Sequence, residues 1–160
     1  MIPKAYYLKS YPDHRGELYP LWKMFDGETV SHPFVEDRIS RSTYGVLRGF
    51  HGDSKTWKLM SCLYGEIQLV LWDVEAKTRY DYLVSDKNKL QVLIPPNYLN
   101  AHQCLSQECI LFYKWSEYYS GPQDQWSVRW DDPSIGFNWA NPPILSERDS
   151  TSRTLNEVFN

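Results

Sequence analysis

Short runs in which apolar and polar residues alternate, separated by turn-forming residues, recur along most of the chain. A two-residue period is that of a half-buried strand, because successive side chains point to opposite faces. Residues 5–9 predict a first strand, and Pro12-Asp13-His14-Arg15-Gly16 a turn, with glycine where positive φ is easiest. Residues 17–23 alternate and predict the next strand, and residues 34–42 and 45–50 predict two more, broken near Thr43. Residues 57–63 and 67–73, joined by Tyr64-Gly65-Glu66, predict a hairpin with a tight glycine turn. Residues 79–84, 90–94, 102–105 and 109–116 continue the series. Helical patterning is confined to the end, where residues 150–159 predict a short terminal helix or a frayed tail. Many short strands at this spacing predict a closed or sandwiched all-β architecture. The absence of repeats, low-complexity tracts and linkers assigns residues 1–160 to one domain.

Composition strengthens the strand reading. Seven Trp and twelve Tyr favour a pleated, half-buried surface. The net charge of −3, with basic residues scattered, gives no electrostatic footprint for nucleic acid. Cys62, Cys104 and Cys109 are odd in number and lack a C-x-x-C spacing, so reduced, buried thiols are expected. No apolar run approaches the ~20 residues that span a bilayer, and the first residues lack the apolar core of a signal peptide. A cytoplasmic protein without a membrane partner is the expectation.

Candidate chemistry concentrates in three segments. In Tyr44-Gly45-Val46-Leu47-Arg48-Gly49-Phe50-His51, a permanent cation suited to phosphate stands three positions from a side chain that exchanges protons near neutral pH. In Phe112-Tyr113-Lys114-Trp115, alternation puts Tyr113 and Trp115 on one face and Phe112 and Lys114 on the other. Tyr113 becomes a proton donor if its hydroxyl meets a substrate, although most of the twelve tyrosines must be packing residues. In the third, Trp130-Asp131-Asp132-Pro133 marks a turn, and Asp149 is a carboxylate able to orient a histidine if the fold brings one near. His51 and His102 are expected on facing strands. No H-x-H or H-x-D pair is present, so no metal site is expected.

These segments together resemble a known family. The stretches Asp13-x-Arg15-Gly16, Ser40-Arg41-Ser42-x-x-Gly45-Val46-Leu47-Arg48-Gly49-Phe50-His51, Lys58-Leu59 and Gly65-Glu66 come first. Ile94-Pro95, Phe112-Tyr113-Lys114 with Tyr118-Tyr119, Trp130-Asp131-Asp132-Pro133-x-Ile135-Gly136 and Leu145-Ser146-x-x-Asp149 then follow in family order. The chain resembles the RmlC-like cupins, the dTDP-4-dehydrorhamnose 3,5-epimerases and related sugar-nucleotide epimerases. The resemblance implies a cupin-type double-stranded β-helix, a jelly-roll barrel with short terminal helical pieces, usually homodimeric and without metal or cofactor. The implied substrate is a nucleotide-diphospho-4-keto-6-deoxy sugar, epimerised at C3, C5 or both through an enolate.

By the same resemblance His51 is the general base, Asp149 its paired carboxylate and Tyr113 the proton donor on the opposite face. Lys58 stabilises the enolate oxygen, His102 is a second histidine at the site, and Arg15 and Arg48 hold the diphosphate. The residue types suit the chemistry, since epimerisation next to a ketone needs a base, an acid on the other face and a cation at the oxyanion. Two other activities remain open on the residues alone: a cupin 3,4-ketoisomerase and a non-catalytic nucleotide-sugar-binding cupin. The chain departs from the family pattern in a shortened stretch between His51 and Lys58, at Leu69 where the family carries a carboxylate, near Pro20, and in residues 94–102.

Overall fold

The computed structural model describes residues 1–22 and 33–160. Among these residues twelve strands run in chain order as β1 (Lys4–Tyr7), β2 (Tyr11–Asp13), β3 (Gly16–Leu18), β4 (Glu36–Thr43), β5 (Leu47–Asp53), β6 (Lys58–Tyr64), β7 (Glu66–Asp73), β8 (Thr78–Ser85), β9 (Leu90–Ile94), β10 (Tyr98–Cys104), β11 (Glu108–Trp115) and β12 (Trp126–Ser127). Two short helices follow, α1 (Glu147–Ser150) and α2 (Leu155–Phe159). The strands form two five-stranded antiparallel sheets, ordered β1-β9-β6-β11-β4 and β12-β5-β10-β7-β8, plus the small β2-β3 hairpin. This is the jelly-roll arrangement expected of the chain. No helix among the described residues is long and apolar enough to cross a membrane.

The inter-sheet core is built from inward-facing residues of both sheets, among them Met60, Ile67, Leu69, Leu71, Val84, Val92, Ile94 and Leu111. A second apolar cluster lies around Phe50, Val70, Trp72, Leu99 and Ala101, residues of β5, β7 and β10. Residues of the C-terminal segment, including Val128, Ile135, Trp139, Leu155 and Phe159, cover it. The Trp130-Asp131-Asp132-Pro133 turn holds that cover in place. Buried Asp132 accepts hydrogen bonds from the Ser134 amide at 2.9 Å and the Leu155 amide at 2.7 Å, and so satisfies an otherwise orphaned donor at the start of α2.

Several expectations need correction. The stretch 57–73 is no hairpin, because β6 pairs with β9 and β11 while β7 pairs with β8 and β10. Gly65 carries the chain from one sheet to the other at φ +78, and a Cβ there would lie 2.2 Å from the Glu108 carbonyl oxygen. A tight glycine turn looks the same in sequence whichever partners its flanking strands choose. The strand expected over residues 17–23 is shorter, ending at Leu18, and Lys23 lies outside the described residues. Strand β10 starts at Tyr98, four residues before the expected start at His102. Strand β12 and helix α1 carried no clear periodic signal, being only two and four residues long.

Candidate active site

Arg48 and His51 share one face only because β5 is irregular. Asn100 of β10 pairs with His51 and His102 pairs with Arg48, so two steps along β10 match three along β5. The extra residue re-aims the strand, as a β-bulge does. Gly49, inside the irregularity at φ +126, has no room for a Cβ, which would lie 2.5 Å from the Asn100 carbonyl oxygen. Phe50, fully buried, turns the other way into the outer apolar cluster. The Arg-Gly-Phe-His string therefore presents its two polar ends to one cavity.

That cavity has a volume of about 270 Å³ and opens between the sheets. Arg48, His51, Lys58, His102, Tyr113 and Asp149 all line it. Asp149 arrives from helix α1, where Ser146 caps the N-terminus by accepting from the Asp149 amide at 3.1 Å. Its carboxylate Oδ1 lies 2.7 Å from His51 Nε2. With Nε2–H donated to the carboxylate, Nδ1 is the ring atom left with a lone pair. Burial lowers the His51 pKa below 6.5, against the opposing pull of Asp149. Burial pushes the Asp149 carboxyl up, yet hydrogen bonds from His51, Ser146 and the Gly49 amide outweigh it and hold the group below its ordinary value.

Lys58 is only 5% exposed, and burial lowers its pKa from 10.5 to about 8. Its ammonium donates to Asn100 Oδ1 at 2.9 Å and sits 5.1 Å from the centre of the Trp115 ring. Nearby Asp53 is bound to the amides of Lys55 and Thr56 in the shortened turn after His51. His102 lies on the strand paired with that of His51, not on a facing one. It is buried beside Leu69, its register partner on β7, and neither ring nitrogen has a hydrogen-bond partner among the described residues. Burial lowers its pKa to about 3, so the ring is neutral at any working pH. Two unsatisfied nitrogens at a cavity wall are costly unless a ligand meets them.

Arg15 stands apart. It is on the exposed β2–β3 hairpin, paired with Asp13 at 2.5 Å, and does not line the cavity within one chain. Sequence reading missed other lining residues. Arg38 stacks on Trp115 and Tyr119 with its guanidinium 5.0 and 4.3 Å from the ring centres, and Arg148 donates to Ser127 Oγ at 2.6 and 2.9 Å. The strict in–out alternation of β4 placed Arg38 inward, but a single arginine on a strand forms no motif. Among the described residues Arg38, Arg48, Lys58 and Arg148 give the cavity four cationic side chains against the one carboxylate of Asp149. Among the described residues no group of three His, Cys, Asp or Glu side chains is arranged to hold a metal ion.

Comparison with known proteins agrees over nearly the whole chain. A family model described as dTDP-4-dehydrorhamnose 3,5-epimerase matches residues 4–157. The dTDP-4-dehydrorhamnose 3,5-epimerase of Salmonella typhimurium is 34% identical, over 94% of this chain and 89% of that protein. A crystal structure of the Legionella pneumophila 3,5-epimerase in complex with dTDP-4-keto-L-rhamnose superposes with a TM-score of 0.86 at 30% identity, covering 96% of this chain and 88% of that one. The Bacillus anthracis enzyme, with TDP and PPi bound, gives 0.89 at 28% identity, covering 95% and 93%.

Proposed function

The chain belongs to the dTDP-4-dehydrorhamnose 3,5-epimerase family, and from that premise we propose how its own residues epimerise a nucleotide-diphospho-4-keto-6-deoxy sugar. The family is one of isomerases, with relatives in deoxysugar and polysaccharide synthesis. The observation that carries the residue assignment is the buried His51–Asp149 pair opening onto the same cavity as Lys58 and Tyr113.

His51 Nδ1 removes the proton from the carbon next to the C4 ketone. Asp149 holds the ring in the tautomer that leaves Nδ1 free and stabilises the imidazolium that forms. The electron pair moves to the ketone oxygen, where the Lys58 ammonium meets it in a site largely closed to water. Tyr113, on β11 of the opposite sheet, returns a proton to the other face of the carbon. Inversion needs a base on one face of the carbon and an acid on the other, and these two stand on different sheets of the sandwich. The neutral, unpartnered His102 hydrogen-bonds the sugar.

Arg48 anchors the diphosphate at the cavity. Its Nε donates to Ser42 Oγ at 3.2 Å, which fixes one edge of the guanidinium. Arg15 reaches a diphosphate only from a second copy of the chain. A homodimer supplies it, and the exposed Tyr7, Leu18 and Ile39 offer apolar surface for such a contact. Product analysis tests the reaction. Incubation with the thymidine-diphospho-4-keto-6-deoxyglucose should give a product inverted at C3, C5 or both that keeps its 4-keto carbonyl. A product whose carbonyl has moved to C3 would refute the epimerase reading in favour of a ketoisomerase.

A further inference from the structure

Lys58 has one hydrogen-bond acceptor among the described residues, and it belongs to the other sheet. Asn100 on β10 sits directly across from His51 in register and reaches over the cavity to the Lys58 ammonium at 2.9 Å. One side chain thus neighbours the base and holds the cation. On its other flank the ammonium meets the face of Trp115. The groups that face it from the surrounding elements are Asp53 and His51 on β5, Arg38 on β4 and Arg148 on α1.

Taking the site as the enolate-forming one described above, we infer that Asn100 is the positioning residue for Lys58, aiming its remaining N–H donors at the substrate oxygen without neutralising its charge. An ammonium carries three donors, and an amide oxygen directs one while leaving the net positive charge intact. A carboxylate at the same position would pair with the lysine, and the charge would already be compensated before an oxyanion formed. Among the described residues the nearby carboxylate on that side, Asp53, is bound to two backbone amides. The lysine pKa of about 8 agrees with this arrangement, since burial outweighs the pull of Asp53 while Arg148 and Arg38 push further down.

Two variants separate positioning from mere packing. Asn100→Leu keeps the volume and removes the acceptor, and Asn100→Asp keeps the acceptor and adds charge. For N100L the expected result is a fall in kcat of about 10²-fold, the usual cost of a misaimed catalytic group, with KM for the nucleotide sugar nearly unchanged. For N100D the alkaline limb of the kcat–pH profile should move up by roughly 1 to 3 pH units, as an opposite charge in contact with a lysine requires. Lys58 itself is followed in ¹⁵N-lysine-labelled protein by NMR titration, its signal assigned by its loss in Lys58→Met. Its midpoint should rise in N100D and change little in N100L. An N100L enzyme with wild-type kcat, or an unchanged Lys58 midpoint in N100D, would overturn the inference. If the wild type fails to turn over any 4-keto sugar, the proposed reaction falls, and the NMR titration still decides the Asn100–Lys58 contact.

Discussion

Replacing Lys58 by Met should make the protein more stable and nearly inactive. The side chain is 5% exposed, and its pKa falls from 10.5 to about 8, so the folded state disfavours the charged form. That displacement corresponds to about 3 kcal/mol at neutral pH. Methionine is similar in length and carries no charge to desolvate, while the lost hydrogen bond to Asn100 costs about 1 kcal/mol. The net gain of roughly 2 kcal/mol implies a Tm higher by about 4–8 °C in a chain of this size. The sign of the pH dependence follows from the direction of the shift. Below pH 8 the wild type carries the full penalty, and as pH rises toward 10.5 the unfolded lysine holds more protons than the folded one and the penalty fades. The advantage of K58M should therefore shrink between pH 8 and 10.5. Urea unfolding at neutral and alkaline pH measures it. Turnover should fall by about 10²–10³-fold, as for loss of one oxyanion donor. A variant less stable than wild type at pH 7, or one that retains its rate, would refute the account of Lys58 as a buried, charged stabiliser of the oxyanion.

Other expectations follow from the same geometry. Asp149→Asn removes the charge that opposes burial at His51, so the histidine pKa drops further and kcat falls by roughly 10²–10⁴-fold, measured under saturating substrate. The wild-type pH–rate profile should be bell-shaped, with activity lost below a limb lying under pH 6.5 as His51 is protonated. It should also be lost above about pH 8 as Lys58 loses its proton. Arg48→Ala should weaken binding of thymidine diphosphate at least about tenfold, as loss of a charge-assisted hydrogen-bonded pair implies, read by calorimetry. Arg15→Ala should weaken the same binding only in dimeric protein, and equal loss in a monomer isolated by dilution would count against a contribution across the dimer.

Much of the site was legible in the chain because its chemistry sits in short strings. Arg48 and His51 stand three positions apart, and the strand period announced β6, β7 and β11 to within one residue, while β5 starts two residues and ends three residues later than expected. Pairing was less legible. Gly65 signalled a turn, but whether β6 and β7 share a sheet depends on β9, β10 and β11, all distant in sequence. The irregularity at Gly49 that gathers Arg48 and His51 on one face is likewise set by the register with β10. Arg38, Arg148 and Asn100 escaped notice because each enters the cavity alone, through alternation or a cap. The Ser146-x-x-Asp149 spacing was a usable sign of α1, since the cap at Ser146 is what positions the carboxylate against His51. Arg15 has the residue type for a diphosphate, yet within one chain the fold holds it on an exposed hairpin.

The central claim, proton transfer at carbon by His51 with Lys58 holding the enolate, is tested most directly by hydrogen exchange in D₂O. With thymidine-diphospho-4-keto-6-deoxyglucose, NMR should show deuterium entering C3, C5 or both with wild-type enzyme and neither with His51→Asn. Absence of exchange in the wild type, or undiminished exchange in the His51→Asn variant, would contradict it.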